Sequence, residues 1–165
     1  MTKDIFEDEY PFEVSGLFSG IRTQNLSFEA SLFELIDNSI GHGDAEKIDV
    51  RIEWYEHTEK IKRVVVIDNG KGMNRRTLFN ALKTGKSGTY NDRSTIGRFG
   101  FGLKAGGLNQ CRIIEVYSKE KSSDPHYAIL DFDSFLNGKE KISPPIEKNI
   151  PDEFSDIIED NGTVV

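Results

Sequence analysis

Cysteine is nearly absent: Cys111 is the single thiol in 165 residues. That excludes an intrachain disulfide framework and a cysteine-rich zinc site, and it fits a reducing cytosol. Long apolar runs are missing as well. None approaches the roughly 18 residues of a membrane span, and the acidic start MTKDIFEDEY has no signal-peptide character. Positive charge is in deficit, with 21 Lys and Arg against 28 Asp and Glu for a net charge of −7. Such a surface is not a general phosphate-backbone binder, so any nucleic-acid contact is local or comes from another domain. The histidines, His42, His57 and His126, are scattered without ligand spacing and read as surface residues. What the chain does have is core material. Hydrophobic residues make up 36%, with 11 Phe and 5 Tyr, in a length that suits one domain.

The pattern along the chain alternates helix and strand signals. Residues 1–25, broken by Pro11, Gly16 and Gly20, read as an entry arm. Phe28, Leu32, Phe33, Leu35, Ile36 and Ile40 recur at helical spacing from Ser27 onward. Gly41 and Gly43 are expected to end that helix through a left-handed glycine. Ile48–Trp54 alternates as a half-buried strand, and Lys62–Ile67 with its Val64-Val65-Val66-Ile67 run reads as a central one, the two forming a hairpin. Asn74 is expected to cap a short helix through about Leu82. Thr84–Thr95 has scarcely an apolar residue and reads as a mobile loop. Ile96–Gly107 is glycine-rich, Arg112–Ser118 and His126–Phe132 read as strands, and residues 138–151 as an irregular connection. The segment from Asp160 reads as a turn entering a strand at the chain's end, which points to the N-terminal part of a longer protein.

Three segments are polar or glycine-rich where packing explains them poorly. In Glu34-Leu35-Ile36-Asp37-Asn38-Ser39 the carboxylate and carboxamide lie four apart, on one helical stripe. Alone, that spacing is most often a solvated face. It also suits a water-orienting carboxylate beside a ligand for a hard cation. Asp68-Asn69-Gly70-Lys71-Gly72-Met73 follows the central strand; it is either an ordinary turn or a carboxylate that accepts from an exocyclic amine, with glycines admitting a flat ring. Gly97-Arg98-Phe99-Gly100-Phe101-Gly102-Leu103-Lys104 is either close helix–sheet packing or a run of exposed amides that favours phosphate. Two imitations fail. Gly85-Lys86-Ser87 has Asn80 where a phosphate loop needs glycine, and Gly100-x-Gly102-x-x-Ala105 follows a polar loop instead of a buried strand.

Taken in order, E-L-I-D-N-S, I-D-N-G-K-G-M, G-R-F-G-F-G-L-K and the closing N-G-T-V-V resemble the GHKL ATPase superfamily: the DNA gyrase B protein, heat-shock 90 chaperones, histidine kinases and MutL proteins. The likeness runs from about Ser27 to Val165 and is nearest in flavour to the heat-shock 90-like and Microrchidia-like branches. It implies an α+β fold, a two-layer α/β sandwich (the Bergerat fold) with a mixed sheet, helices on one face and a mobile ATP lid at Thr84–Thr95. It also implies roles for particular residues. Glu34 matches the general base, Asn38 the Mg²⁺ ligand, and Asp68 the adenine-reading carboxylate with Gly70, Gly72 and Met73 lining the base pocket. Gly97, Gly100, Phe101, Gly102, Leu103 and Lys104 match the phosphate cradle, with Lys104 also a catalytic candidate, and Thr163 supports adenine from a late strand. The chain departs from the usual D-N-S-x-D-A: Gly41 and His42 stand at the D-A positions and Asp44-Ala45 lies further on. This bears on a secondary Mg²⁺–water contact and the helix end, not on Glu34 or Asn38.

The implied activity is Mg²⁺-dependent ATP binding with slow hydrolysis to ADP and phosphate. Lid closure and homodimerisation would act as a conformational switch, and a following domain would supply a cation to the γ-phosphate. A nucleotide-gated binding module with little turnover and a histidine-kinase-type catalytic domain are the alternatives. Glu34 and the lack of a phosphoacceptor-helix segment favour hydrolysis. A DNA or protein client, a cytoplasmic or nuclear location and no membrane partner complete the expectation.

Overall fold

The computed structural model describes residues 26–82, 110–139 and 141–165, together with Gly16, Gly20 and Gly107. The rest of the entry arm, the lid loop 84–95 and the cradle segment containing Gly97 and Gly100 to Lys104 lie outside the described residues.

Helix α1 spans Phe28–Gly41, and the Ser27 hydroxyl accepts the Ala30 N–H at its start. The left-handed residue that follows it is not a glycine, as expected, but Asp44 at φ 53°. The amides of His42 and Gly43 both turn back to the Asn38 carbonyl, and that of Ala45 to Ser39. Strands β1 (Ile48–Trp54) and β2 (Ile61–Asp68) form the expected hairpin. Helix α2 covers Arg75–Leu82, and the Asn74 side chain caps it by accepting from Thr77 N–H at 2.9 Å. After β3 (Ile113–Lys119) and β4 (His126–Asp131), Phe132 begins a short helix α3 (Phe132–Leu136) instead of extending the strand. The Asp131 carboxylate accepting from Ser134 N–H explains the switch. A two-residue strand β5 (Ile146–Glu147), a 3₁₀ turn (Asp152–Phe154) and β6 (Gly162–Val164) follow.

The sheet order is β1-β2-β6-β3-β4-β5, with every described pairing antiparallel. The resemblance implies a mixed sheet. Here β6 inserts between β2 and β3, which run the same way, and turns a parallel neighbourhood into two antiparallel ladders. On one face Leu78 and Leu82 of α2 pack with Ile114, Val116, Ala128, Leu130, Phe132 and Phe135. The opposite face is also covered, because Phe154, Ile157 and Ile158 pack on Val65, Ile67, Tyr117 and Val164. Strand pairing therefore decides which face each residue serves: Asp68, Thr163 and Ser118 are cross-strand partners on the α2 side. A polar row thus crosses the middle of the sheet beside an apolar core.

Candidate functional site

Asp68 ends β2 and is 4% exposed. A carboxyl so enclosed needs donors to stay charged. Ser39 of α1 donates its hydroxyl to Oδ2 at 2.8 Å, and the Gly70 amide donates to Oδ1 at 2.9 Å. Burial still dominates and raises the carboxyl above its ordinary range, with Ser39, Gly70 and the Thr163 backbone pulling the other way. The Ser39 bond bolts the C-terminal end of α1 to the end of β2. It accounts for the burial of the Ser39 hydroxyl; the other buried hydroxyl of α1, Ser31, donates to the Ser27 carbonyl at 3.0 Å.

The turn after Asp68 is held from three sides. The Lys71 amide donates to the Gly43 carbonyl at 2.7 Å, so the loop leaving α1 lies against the Gly70 backbone. Asn69 Oδ1 accepts the amides of Glu46 and Lys47. Asn161 Nδ2 donates to the Gly70 carbonyl at 2.6 Å. Gly72 has φ +69°, and a Cβ there would land on the Lys119 carbonyl, so no other residue passes β3 this closely. The Met73 amide donates to Ser118 Oγ at 2.9 Å, and Ser118 Oγ lies 2.9 Å from Thr163 Oγ1.

The structure thus brings Asp68, Gly70, Gly72, Met73 and Thr163 into one continuous set. Asn38 is half-buried next to Ser39, and Glu34 is half-buried one turn earlier on α1. Gly97, Gly100, Phe101, Gly102, Leu103 and Lys104 lie outside the described residues. Sequence reading missed Ser39, Asn69, Ser118 and Asn161. Ser39, Asn69 and Asn161 sat inside the quoted motifs without a role, and Ser118 was one hydroxyl at the end of an apolar strand. His126 is not a plain surface residue: it is half-buried, and its Nδ1 is enclosed without a partner among the described residues.

Among the described residues no three His, Cys, Asp or Glu side chains converge to cage an ion. The Asn38 carboxamide is a single hard oxygen donor, which fits a Mg²⁺ held chiefly by phosphates and water.

The chain belongs to the family of histidine kinase-, DNA gyrase B- and HSP90-like ATPases, whose model matches residues 26–163. It is 34% identical over 94 residues to ATPase MORC2B of Mus musculus, covering 56% of this chain and 9% of that protein. It is 30% identical over 140 residues to the B component of type 2 DNA topoisomerase 6 from Saccharolobus islandicus, covering 79% of this chain and 23% of the relative. The same component from Saccharolobus solfataricus matches to the same extent. The chain therefore spans between about a tenth and a quarter of these relatives' length. Among the described residues no helix is long and apolar enough to cross a membrane.

Proposed function

We propose that this domain binds Mg²⁺-ATP in the space between α1 and the end of β2 and hydrolyses it slowly to ADP and phosphate. The buried, donor-supported carboxyl of Asp68 carries the reading, because enclosed carboxyls with raised pKa concentrate at functional sites. Asp68 accepts the exocyclic amine of adenine, and Gly70, Gly72 and Met73 form the wall against which the ring lies. Thr163, opposite Asp68 on β6, adds a hydroxyl to the base edge. Asn38 offers its oxygen to Mg²⁺, which when bound neutralises phosphate charge. Glu34, one turn before Asn38, takes a proton from the attacking water. Phosphoryl transfer asks for positioning and charge neutralisation more than for covalent help, and these residues are of the kinds it needs. Gly97, Gly100 to Leu103 and Lys104 hold the phosphates, and Thr84–Thr95 closes over them. Closure is coupled to pairing of two copies, and a domain following this one supplies a further cation to the γ-phosphate. The client, DNA or protein, is engaged outside this acidic domain.

Calorimetry with ATP and GTP tests the reading. The chain should prefer ATP, since guanine presents a carbonyl where adenine presents an amine. Asp68→Ala should lose about 2–3 kcal/mol of ATP binding, as expected for a charge-assisted hydrogen bond. Equal affinity for the two nucleotides would refute it.

A further inference from the structure

Asn161 immediately precedes β6 and has no part in the proposed chemistry, yet its side-chain nitrogen is aimed into the base loop. Nδ2 lies 2.6 Å from the Gly70 carbonyl and 3.4 Å from the Asn69 carbonyl. Both partners can only accept, so the carboxamide nitrogen must face them and the direction of donation is fixed. We propose that Asn161 is a positioning residue that holds the metal-bearing end of α1 in register with the base pocket, acting through the Gly70–Lys71 peptide. This rests on the reading of Asn38 as the Mg²⁺ ligand and adds to it a side chain that needs no contact with nucleotide or metal.

The Gly70 carbonyl and the Lys71 amide belong to one peptide unit and, in a planar trans peptide, point opposite ways. Asn161 holds the carbonyl, and the Gly43 carbonyl takes the Lys71 N–H at 2.7 Å. One rigid plane thus spans the gap from the β6 turn to the loop leaving α1. Gly43 in turn sends its own amide back to the Asn38 carbonyl at 3.1 Å. Each link from Asn161 to Asn38 is an N–H facing a carbonyl, so the order runs one way only. Gly70 and Gly72 lack the side chains that would restrain the loop, which leaves its placing to these bonds. A Cβ on Gly70 would land on the Gly43 carbonyl, so loop and helix end meet backbone to backbone. The end of α1 is therefore tied to the base loop twice, by Ser39 to Asp68 at 2.8 Å and by Lys71 to Gly43. A single tie is a pivot; a second fixes which way the last turn of α1 faces. Asn38 adjoins the first tie in sequence and is bonded through its carbonyl to the second. Loosening the Gly70–Lys71 peptide turns the Asn38 carboxamide away from a cation held on phosphates, while Asp68 keeps its bonds to Ser39 and the Gly70 amide.

Calorimetry with ADP, with and without Mg²⁺, tests this, because the gain in affinity on adding Mg²⁺ reports the metal end and metal-free affinity reports the base end. Asn161→Ala should cut the Mg²⁺ gain about tenfold, the size of one good hydrogen bond. Metal-free ADP binding should change less than about twofold, since Asp68 keeps its donors. In an Asn38→Ala background, where the gain is already small, the same substitution should alter it less than about twofold, because the residue it acts through is gone. Asn161→Leu, similar in shape but without a donor, repeats the measurement if Asn161→Ala does not fold. Equal weakening with and without Mg²⁺ would mean that Asn161 only braces the base pocket, and the inference is overturned. An unchanged Mg²⁺ gain overturns it as well. If instead Asn38→Ala by itself leaves the gain intact, Asn38 is not the metal ligand, and this inference falls together with that reading.

Discussion

At the scale of single residues, Asp68 makes the domain sensitive to acid in a direction that can be worked out. Its carboxyl titrates above the ordinary 3.8 because burial outweighs the donors around it. A group raised on folding contributes stability when protonated, below its unfolded value, and that contribution is lost as pH rises through the folded value. Asp68→Asn has no such loss. The stability of the parent chain relative to Asp68→Asn should therefore fall as pH climbs through the interval just above 3.8, and urea denaturation across that interval would detect it. A difference that stays flat with pH would mean the carboxyl is ordinary. Adenine binding runs the opposite way, since the amine needs the charged acceptor, so affinity should weaken as acid protonates Asp68. Glu34 makes a separate prediction. If it activates water, Glu34→Ala should keep Mg²⁺-ATP affinity within a few-fold and lower turnover by about 10²–10⁴. Single-turnover assays with titrated binding separate the two quantities, and an unchanged rate would remove Glu34 from the chemistry.

At the scale of elements, the segment between β5 and β6 leads into Asn161 and the β6 residue Thr163 and carries a core of its own. Phe154 is 3% exposed and fills the second face of the sheet, flanked by the guanidinium groups of Arg51 and Arg63 at 5.8 and 5.9 Å from its ring. Arg51 also reaches Asp156 at 2.8 Å and the Glu153 carbonyl, and Arg63 reaches Glu153 at 3.1 Å. These ion pairs are solvated and screened, so each contributes little, whereas emptying a buried phenyl site costs about 3–5 kcal/mol. Phe154→Ala should therefore destabilise the domain several times more than Arg63→Ala in denaturant titrations. A larger loss for the arginine would mean the charge network holds the segment. None of this second core was legible in the sequence, because 152–158 shows neither helical nor strand periodicity and its apolar residues pair with distant strands. Local signals were read well. The helix starting at Ser27, the Asn74 cap and the β1–β2 hairpin stand where apolar spacing, capping and alternation put them. The motif residues Asp68, Gly70, Gly72, Met73 and Thr163 do converge, but their connectors Ser39, Asn69, Ser118 and Asn161 carry no local pattern. A hydroxyl or carboxamide becomes informative only once the sheet order sets it beside its partner. The helix end was misread for a similar reason. Gly43 is demanded by the nearby Ser39 carbonyl, a close approach, and the positive φ falls on Asp44.

At the scale of the molecule, the net charge of −7 and the short span relative to its relatives bear on what this domain does alone. An acidic surface gains little from releasing counterions of DNA, so the chain should not be retained on duplex DNA at physiological salt. Nucleotide is different, since the proposed contacts to adenine, Mg²⁺ and most of the phosphates come from residues of this chain. Ligand at about a hundred times its dissociation constant stabilises the bound fold by about 2.7 kcal/mol. For a domain of this size that is a rise of roughly 5–11 °C in melting temperature. Hydrolysis makes a harsher demand, because the transition state spreads charge over the transferring group and a missing cation there costs several kcal/mol. Lys104 is the basic side chain that the motif assigns to that group within this chain, and the proposal gives a second cation to a following domain. The 165-residue chain should therefore show the melting shift with Mg²⁺ and a nonhydrolysable ATP analogue while releasing phosphate far more slowly than a longer protein containing that domain. Extending the chain should raise the rate at nearly constant affinity, measured by phosphate release beside calorimetry. Equal rates would show that no cation is borrowed, and Lys104 would have to meet the γ-phosphate alone.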